Sequence, residues 1–361
     1  MGKQAAIAVC VLMLAGAAWL GYRWLTAAGA GDAVLPAPEA TRPDARSASA
    51  SSPKAGSSEP RPLPPLEARL ADILPELERR AAAGEAAAAC RLAADRAWCG
   101  SLRTQREQHL AWAMDRQKTY ENAKPNSAPE LNALALESFE KELGRREARL
   151  EAMEARCAGV APSSPSEVAA AWRLAAELGS EAARRYWASG QAIRPDGVLD
   201  SLDELALFRA RAPRMAHQLV REGDLAMTLA MANATAPIST RTHSLLGQAV
   251  DENAALSLAL YRRVLAALET VDDGSGDPPL HLVHGVRDRV ALVSSLMPEA
   301  QLAEADRLQQ QFEAPLSLAN VPAILNSRGQ GIVAPAAFCQ AEAGEPLPEG
   351  YHVRRQQVLP L

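Results

Sequence analysis

The sequence predicts an all-α protein: one transmembrane helix and a disordered linker, then a helical hairpin, then degenerate helix-pair repeats stacked in the manner of an α-solenoid. Three observations carry this. Alanine makes up about a fifth of the 361 residues while aromatics are 4%, a composition that favours helix over sheet. Apolar positions recur at alternating three- and four-residue steps, the period of a helix face. A phrase of Gly followed by an acidic or hydroxyl residue and an Ala-rich stretch also returns along the chain, as helix ends and starts do.

The first 30 residues form the expected membrane anchor. Residues 5–22 (AAIAVCVLMLAGAAWLGY) carry no charge and stand between Lys3 and Arg23. Eighteen residues rising about 1.5 Å each reach about 27 Å, close to the hydrocarbon thickness of a bilayer. A cleaved signal peptide has a shorter apolar core, about 7–15 residues, and the nearest small-x-small site, Ala28-Gly29-Ala30, lies beyond Arg23. The expectation is an uncleaved, single-pass inner-membrane anchor with the remainder of the chain in the periplasm, and Cys10 as a small apolar residue within the span. Residues 31–65 are rich in Pro, Ala, Ser and Gly and have no aromatic side chain, so they are expected to be a disordered tether.

From 66 to 160 the pattern is a helical hairpin region. Leu66, Leu70, Ile73, Leu74 and Leu77 share a helix face, Pro75 opens a second helix or kinks the first, and Gly84 ends it. A helix from Glu85 to about Trp98 follows. Ser101 is expected to cap the next, which runs to about Tyr120, and Lys124-Pro125-Asn126 turns the chain. Ser127 and Pro129 start a long helix whose seam is Leu136, Phe139, Leu143, Leu150, Met153 and Cys157, interrupted by Arg146. Cys99, Leu102, His109, Ala113 and Tyr120 face it from the preceding helix, which predicts an antiparallel hairpin.

Four cysteines lie outside the apolar run: Cys90, Cys99, Cys157 and Cys339. In an oxidising compartment an even count suggests two disulfides. Pairing Cys90 with Cys99 fails, because on one straight helix they would stand about 13 Å apart along the axis and on opposite sides, against a Cα limit of about 7 Å. Cys99 and Cys157 meet at the open ends of the hairpin. Cys90 with Cys339 would then tie the tail to the first helices; the alternative is that both stay as buried thiols.

Residues 161–313 form the repeat region. RRAAAGEAAAACRLA from Arg79, RLAAELGSEAARRYW from Arg173 and LVREGDLAMTLAMA from Leu219 are copies of one phrase, with a related one, LLGQAVDENAALSLALYRRVLAAL, from Leu245. These segments resemble the Sel-like repeats, relatives of the tetratricopeptide repeats, most closely over Ala169 to Tyr186 and Leu246 to Ala267. The spacing of 44 residues from Gly179 to Gly223 exceeds the roughly 34 of a tetratricopeptide repeat. The resemblance implies a concave surface for a protein or peptide partner, with no catalytic residues to transfer. Residues 314–361 read as an irregular tail. Trp112, Trp172, Tyr186 and Trp187 are the large groups available for a groove, with Trp172, Tyr186 and Trp187 as the candidate partner-binding anchors.

Chemistry is sparse. His281 and His284 stand one helical turn apart and form a weak half-site for a metal, without an identifiable third ligand. Asp273, Ser275 and Asp277 begin like a calcium loop, but Pro278 and His284 stand where that loop needs Gly and Glu. Ser138 and Lys141 fit a Ser-x-x-Lys pattern without its companion motifs, and there is no GxSxG, HExxH or GxxxxGK. Net charge is −5 and the arginine pairs are flanked by acids, which argues against a nucleic-acid partner. No cofactor is expected. The sequence thus favours a membrane-tethered periplasmic interaction scaffold. The alternatives are a cell-envelope hydrolase acting on wall glycan or peptide, and a membrane-anchored chaperone for a secreted enzyme. The layout of lipase-specific chaperones is similar, but their Phe-Asp-Tyr segment is missing.

Overall fold

Ala-rich helices can pack closely, and the chain uses this throughout. The computed structural model describes residues 62–122, 129–269, 280–317 and 335–344, all within one unit, Ser58–Leu361. These residues form thirteen α-helices. They are α1 (Leu70–Ala82), α2 (Ala86–Gly100), α3 (Leu102–Asn122), α4 (Pro129–Cys157), α5 (Pro165–Glu177), α6 (Glu181–Ala188), α7 (Leu202–Glu222), α8 (Leu225–Thr235), α9 (Leu245–Ala249), α10 (Ala254–Glu269), α11 (Leu280–Ser295), α12 (Glu299–Gln310) and α13 (Pro335–Glu342). No β-strand occurs among the described residues; Asp224 and Ser317 form an isolated bridge.

Successive helices pair and each pair lies on the next. α1 packs on α2, α2 on α5, α5 on α6, α6 on α7, α7 on α8, α8 on α10, and α10 on both α11 and α12. Ala88, Ala89, Ala93 and Ala94 on α2 are buried and face a helix whose own core residues are Ala169, Trp172, Ala175 and Ala176. Small side chains let two axes approach to the near end of the usual 8–10 Å range, and Trp172 fills the remaining volume. α8 is buried at Leu225, Met227, Thr228, Met231, Ala232, Ala234 and Thr235 because α7, α9 and α10 all cover it, so its apolar residues form no single stripe.

Three pairs turn in one way. Gly84, Gly179 and Gly223 have φ of +89°, +99° and +87°, the left-handed region that glycine enters without strain. In each, the following N–H reaches back five residues: Glu85 to Arg80 O, Ser180 to Ala175 O, and Asp224 to Leu219 O, at 3.1, 3.2 and 3.0 Å. Ser180 and Asp224 then cap their helices by accepting from Ala183 N and Met227 N. The phrase from Leu245 is built otherwise. Gly247 lies in the short helix α9, where an added Cβ would meet Arg241 O at 2.0 Å, and Asn253 caps α10 by accepting from Leu256 N.

Several boundaries differ from the sequence reading. Pro75 lies inside one helix, near its start, where the only lost bond is one to Ala71 O. Ser101 does not cap α3; its hydroxyl donates back to Trp98 O, closing α2 as α3 begins. Pro62 to Pro65 belong to the folded body, with Leu63 buried, and the tail contains α13. The turn at 124–126, Ser127, the loop 271–279, the apolar run 5–22 and the linker up to 61 lie outside the described residues. Among the described residues no helix is long and apolar enough to cross a membrane.

Candidate interaction surface

The hairpin α3–α4 is inserted between the first and second helix pairs and closed at its base by the disulfide Cys99–Cys157, with Cα atoms 5.6 Å apart. Burial along its seam falls with distance from that base. Cys157 and Met153 are buried, Leu150, Leu143 and Phe139 half-buried, and Leu136 exposed. Trp112 occupies the centre, 5.5 Å from Phe139, and Arg146 lies 4.1 Å over the same ring. That cation–π contact explains why a charge can stand in the seam. Beyond it, residues 114–119 and 133–138 are exposed; Met114, Leu134 and Leu136 there, and Leu110 on the outer side of α3, are all more than 45% accessible.

A second surface is sealed by polar contacts. α13 packs on α2 and α6, and the disulfide Cys90–Cys339 joins it to α2. Arg91, fully buried beside that bridge, donates to Asp95 at 2.8 Å, to Gln340 Oε1 at 2.6 Å and to the carbonyls of Pro64 and Pro65 at 3.1 Å. Asp95 takes a second guanidinium, Arg156, from the end of α4. The N-terminal segment, α2, α4 and α13 thus meet at one buried ion cluster, which is tolerable only because its charges are paired. Glu342 closes the N-terminus of α6, accepting from Ser180 Oγ at 2.7 Å and from Ala182 N. Although Glu342 as a residue is exposed, desolvation of its carboxyl tip against α6 pushes that group above its ordinary range, opposed by those two hydrogen bonds.

The neighbouring turn is tied in the same manner. Arg185 of α6 pairs with Asp224, the cap of α8, at 2.7 Å, both nearly buried. Ser317 N donates to Gly223 O at 2.8 Å, and Arg263 donates to Val220 O and Ala314 O. Arg173 forms a two-pronged pair with Glu204 at 2.9 and 3.1 Å, linking α5 to α7.

The aromatic anchors expected from the sequence are placed differently. Trp172 and Trp187 are completely buried, and Tyr186 is half-buried with its ring 4.2 Å from that of Trp172. Burial pushes the Tyr186 phenol up to about 12. As placed, the two tryptophans are core, and they offer a partner no face. The reason is volume: an Ala-rich stack needs a few large side chains to fill its interior. His284 is exposed, and the side chain of His281 lies outside the described set. Among the described residues no cluster of three or more His, Cys, Asp or Glu could hold a metal. Ser138 and Lys141 are exposed on α4. A cleft of about 500 Å³ opens between the start of α10 and the α11–α12 connection; of its carboxylates Glu252 and Glu304, the latter pairs with Arg307.

Sequence reasoning missed the Arg91 cluster and the Glu342 cap. The only signal for the first was an arginine beside Cys90 with an acid four residues on. The second joins residues 162 apart in the chain, and no local pattern announces it. Comparison with protein-family models, curated proteins and solved structures finds no match for this chain.

Proposed function

We propose that the chain is a helical-repeat scaffold of the cell envelope, held at the inner membrane by residues 5–22 and binding a protein or peptide partner with its periplasmic part. One observation carries the reading: three helix pairs, α1–α2, α5–α6 and α7–α8, share a left-handed Gly turn with the same five-residue back-bond, and each packs on the next. That nearest-neighbour construction is how solenoid proteins build extended binding surfaces, and it supports kinship with Sel-like and tetratricopeptide repeats. Two cysteine pairs at disulfide distance favour an oxidising compartment, and the apolar run supplies the means of attachment. The hairpin α3–α4 is a side arm on this stack.

The test is photo-crosslinked affinity purification of the chain from living cells, read by mass spectrometry, with residues 1–65 alone as control. A discrete partner that requires residues 66–361 is the expected result. Recovery of the same proteins with the control, at native expression, would remove the scaffold reading. Thiol alkylation from outside the inner membrane, before and after reduction, checks the compartment.

A further inference from the structure

We infer that the surface formed by α2 and the start of α6 is a docking site for a short helix, occupied in this chain by its own α13 and opened when Cys90–Cys339 is reduced. The inference rests on the scaffold reading and names a binding face within it.

α13 behaves as a ligand, not as a member of the stack. It has eight residues, too few for a helix to persist alone in water, and it opens at Pro335. It joins α2 from 249 residues away, and residues 318–334 separate it from the preceding described segment. Its hold combines the bridge to Cys90, the Gln340 amide against Arg91 and the carbonyls of Leu63 and Pro64, the Glu342 carboxylate on the N-terminus of α6, and one small apolar face, in which Ala337 is buried and Ala336, Phe338 and Ala343 are partly buried against the core.

The receiving surface does not depend on it. α2 is packed between α1 and α5, and α6 between α5 and α7, so both keep their neighbours when α13 leaves. Ser180 still caps α6 by accepting from Ala183 N at 3.2 Å. What stays behind is a set of complementary groups: the Cys90 thiol, the Arg91 guanidinium already braced by Asp95, and the N-terminal amides of α6. The partner that fits is a short Ala-rich helix presenting a small residue, then an amide, then a carboxylate, in the order Cys339, Gln340, Glu342.

Opening requires a dithiol reductant. It donates two electrons and two protons; the Cys90–Cys339 bond breaks to two thiols, and the reductant closes to its own disulfide. Because both cysteines are fully buried, attack follows local lifting of α13.

The experiment uses the whole chain. Amide hydrogen exchange is compared between the oxidised wild type, the wild type in dithiothreitol, and Cys339→Ser, in which Cys99–Cys157 remains closed. Exchange across 335–342 is expected to rise at least tenfold in the last two, while α2 and α6 stay within threefold of the oxidised chain. A peptide of residues 335–344, supplied as its glutathione mixed disulfide, should then exchange onto Cys90 of Cys339→Ser with release of glutathione. Capture should exceed that of a scrambled peptide at least tenfold, and Glu342→Ala in the peptide should reduce it about tenfold, the scale of one charge-assisted hydrogen bond. Equal capture of native and scrambled peptides overturns the inference. So does loss of protection in α2 and α6 together with 335–342, or failure of Cys339→Ser to fold, since either makes α13 part of the core. The scaffold reading is tested separately, by affinity purification of the oxidised chain, and fails if only the proteins recovered with residues 1–65 alone are captured.

Discussion

Replacing Gly223 by Ala should destabilise the chain far more than the same change at Gly84, although both glycines end a helix in the same left-handed conformation. At Gly84 an added Cβ meets nothing within 4 Å. The left-handed conformation costs a non-glycine residue about 1–2 kcal/mol, and the stiffer unfolded chain returns about 0.4–1 kcal/mol, so the net is about 1 kcal/mol. At Gly223 the Cβ would stand 2.2 Å from Pro315 O and 3.7 Å from Ala314 Cβ. Relief requires the 314–317 segment to retreat by about 1 Å or more, given ordinary carbon–oxygen contact distances. That movement breaks the 2.8 Å bond from Ser317 N to Gly223 O and the charged bond from Arg263 to Ala314 O. A neutral hydrogen bond contributes about 1 kcal/mol and a charged one about 1.5–3 kcal/mol, so Gly223→Ala should cost about 4 kcal/mol in all. Denaturant unfolding followed by far-ultraviolet circular dichroism reads both variants. Equal losses, within about 0.5 kcal/mol, would refute the argument that the turn receives the chain after α12.

Three further outcomes follow from burial and charge. Trp172→Ala should lose about 3–5 kcal/mol, the usual range for a buried aromatic, while Leu110→Ala on the exposed arm should stay within about 0.5 kcal/mol; similar losses would contradict the assignment of Trp172 to the core. Removing both Cys99 and Cys157 should cost about 4 kcal/mol for a loop spanning 58 positions, and peptide mapping of the oxidised chain should recover that bridge; free thiols there would remove the stapled hairpin. For Glu342 the folded carboxyl is raised, chiefly by burial, so its contribution is fully present below the unfolded pKa, about 4.3, and is lost as pH rises through the folded value. Glu342→Gln should therefore flatten the fall in stability just above the ordinary carboxylate range and match or exceed the wild type at neutral pH; unchanged pH dependence would show that the carboxyl tip is not desolvated against α6 in solution.

Helix positions were legible where the pattern is local. The Gly stops at 84, 179 and 223 needed only the preceding apolar period and the following cap, because a left-handed residue and a side-chain acceptor are properties of four or five consecutive positions. The seam of α4 was legible for the same reason, and Arg146 was correctly the odd residue in it; that its cation lies over Trp112 needed the second helix. Ser101 was misread because a serine between two helices can serve either, and the junction geometry sends its hydroxyl backward. The burial of Trp172 and Trp187 was not legible for a different reason. Periodicity says that Trp172 and Trp187 lie on a helix face, but which faces are covered depends on where neighbouring helices pack.

The sequence by itself determined the helical class, the glycine turns, and the one cysteine pairing that helix geometry forbids, since each follows from backbone conformation or from distance along a single helix. Only the tertiary structure decided what crosses long stretches of chain: α13 on α2, Arg91 among Asp95, Gln340 and two proline carbonyls, and Glu342 on the start of α6. Those contacts join residues whose neighbourhoods carry no shared period. For Arg91 and Asp95 the energy comes from desolvated charges meeting fixed partners, which exists only once the surrounding helices have excluded water.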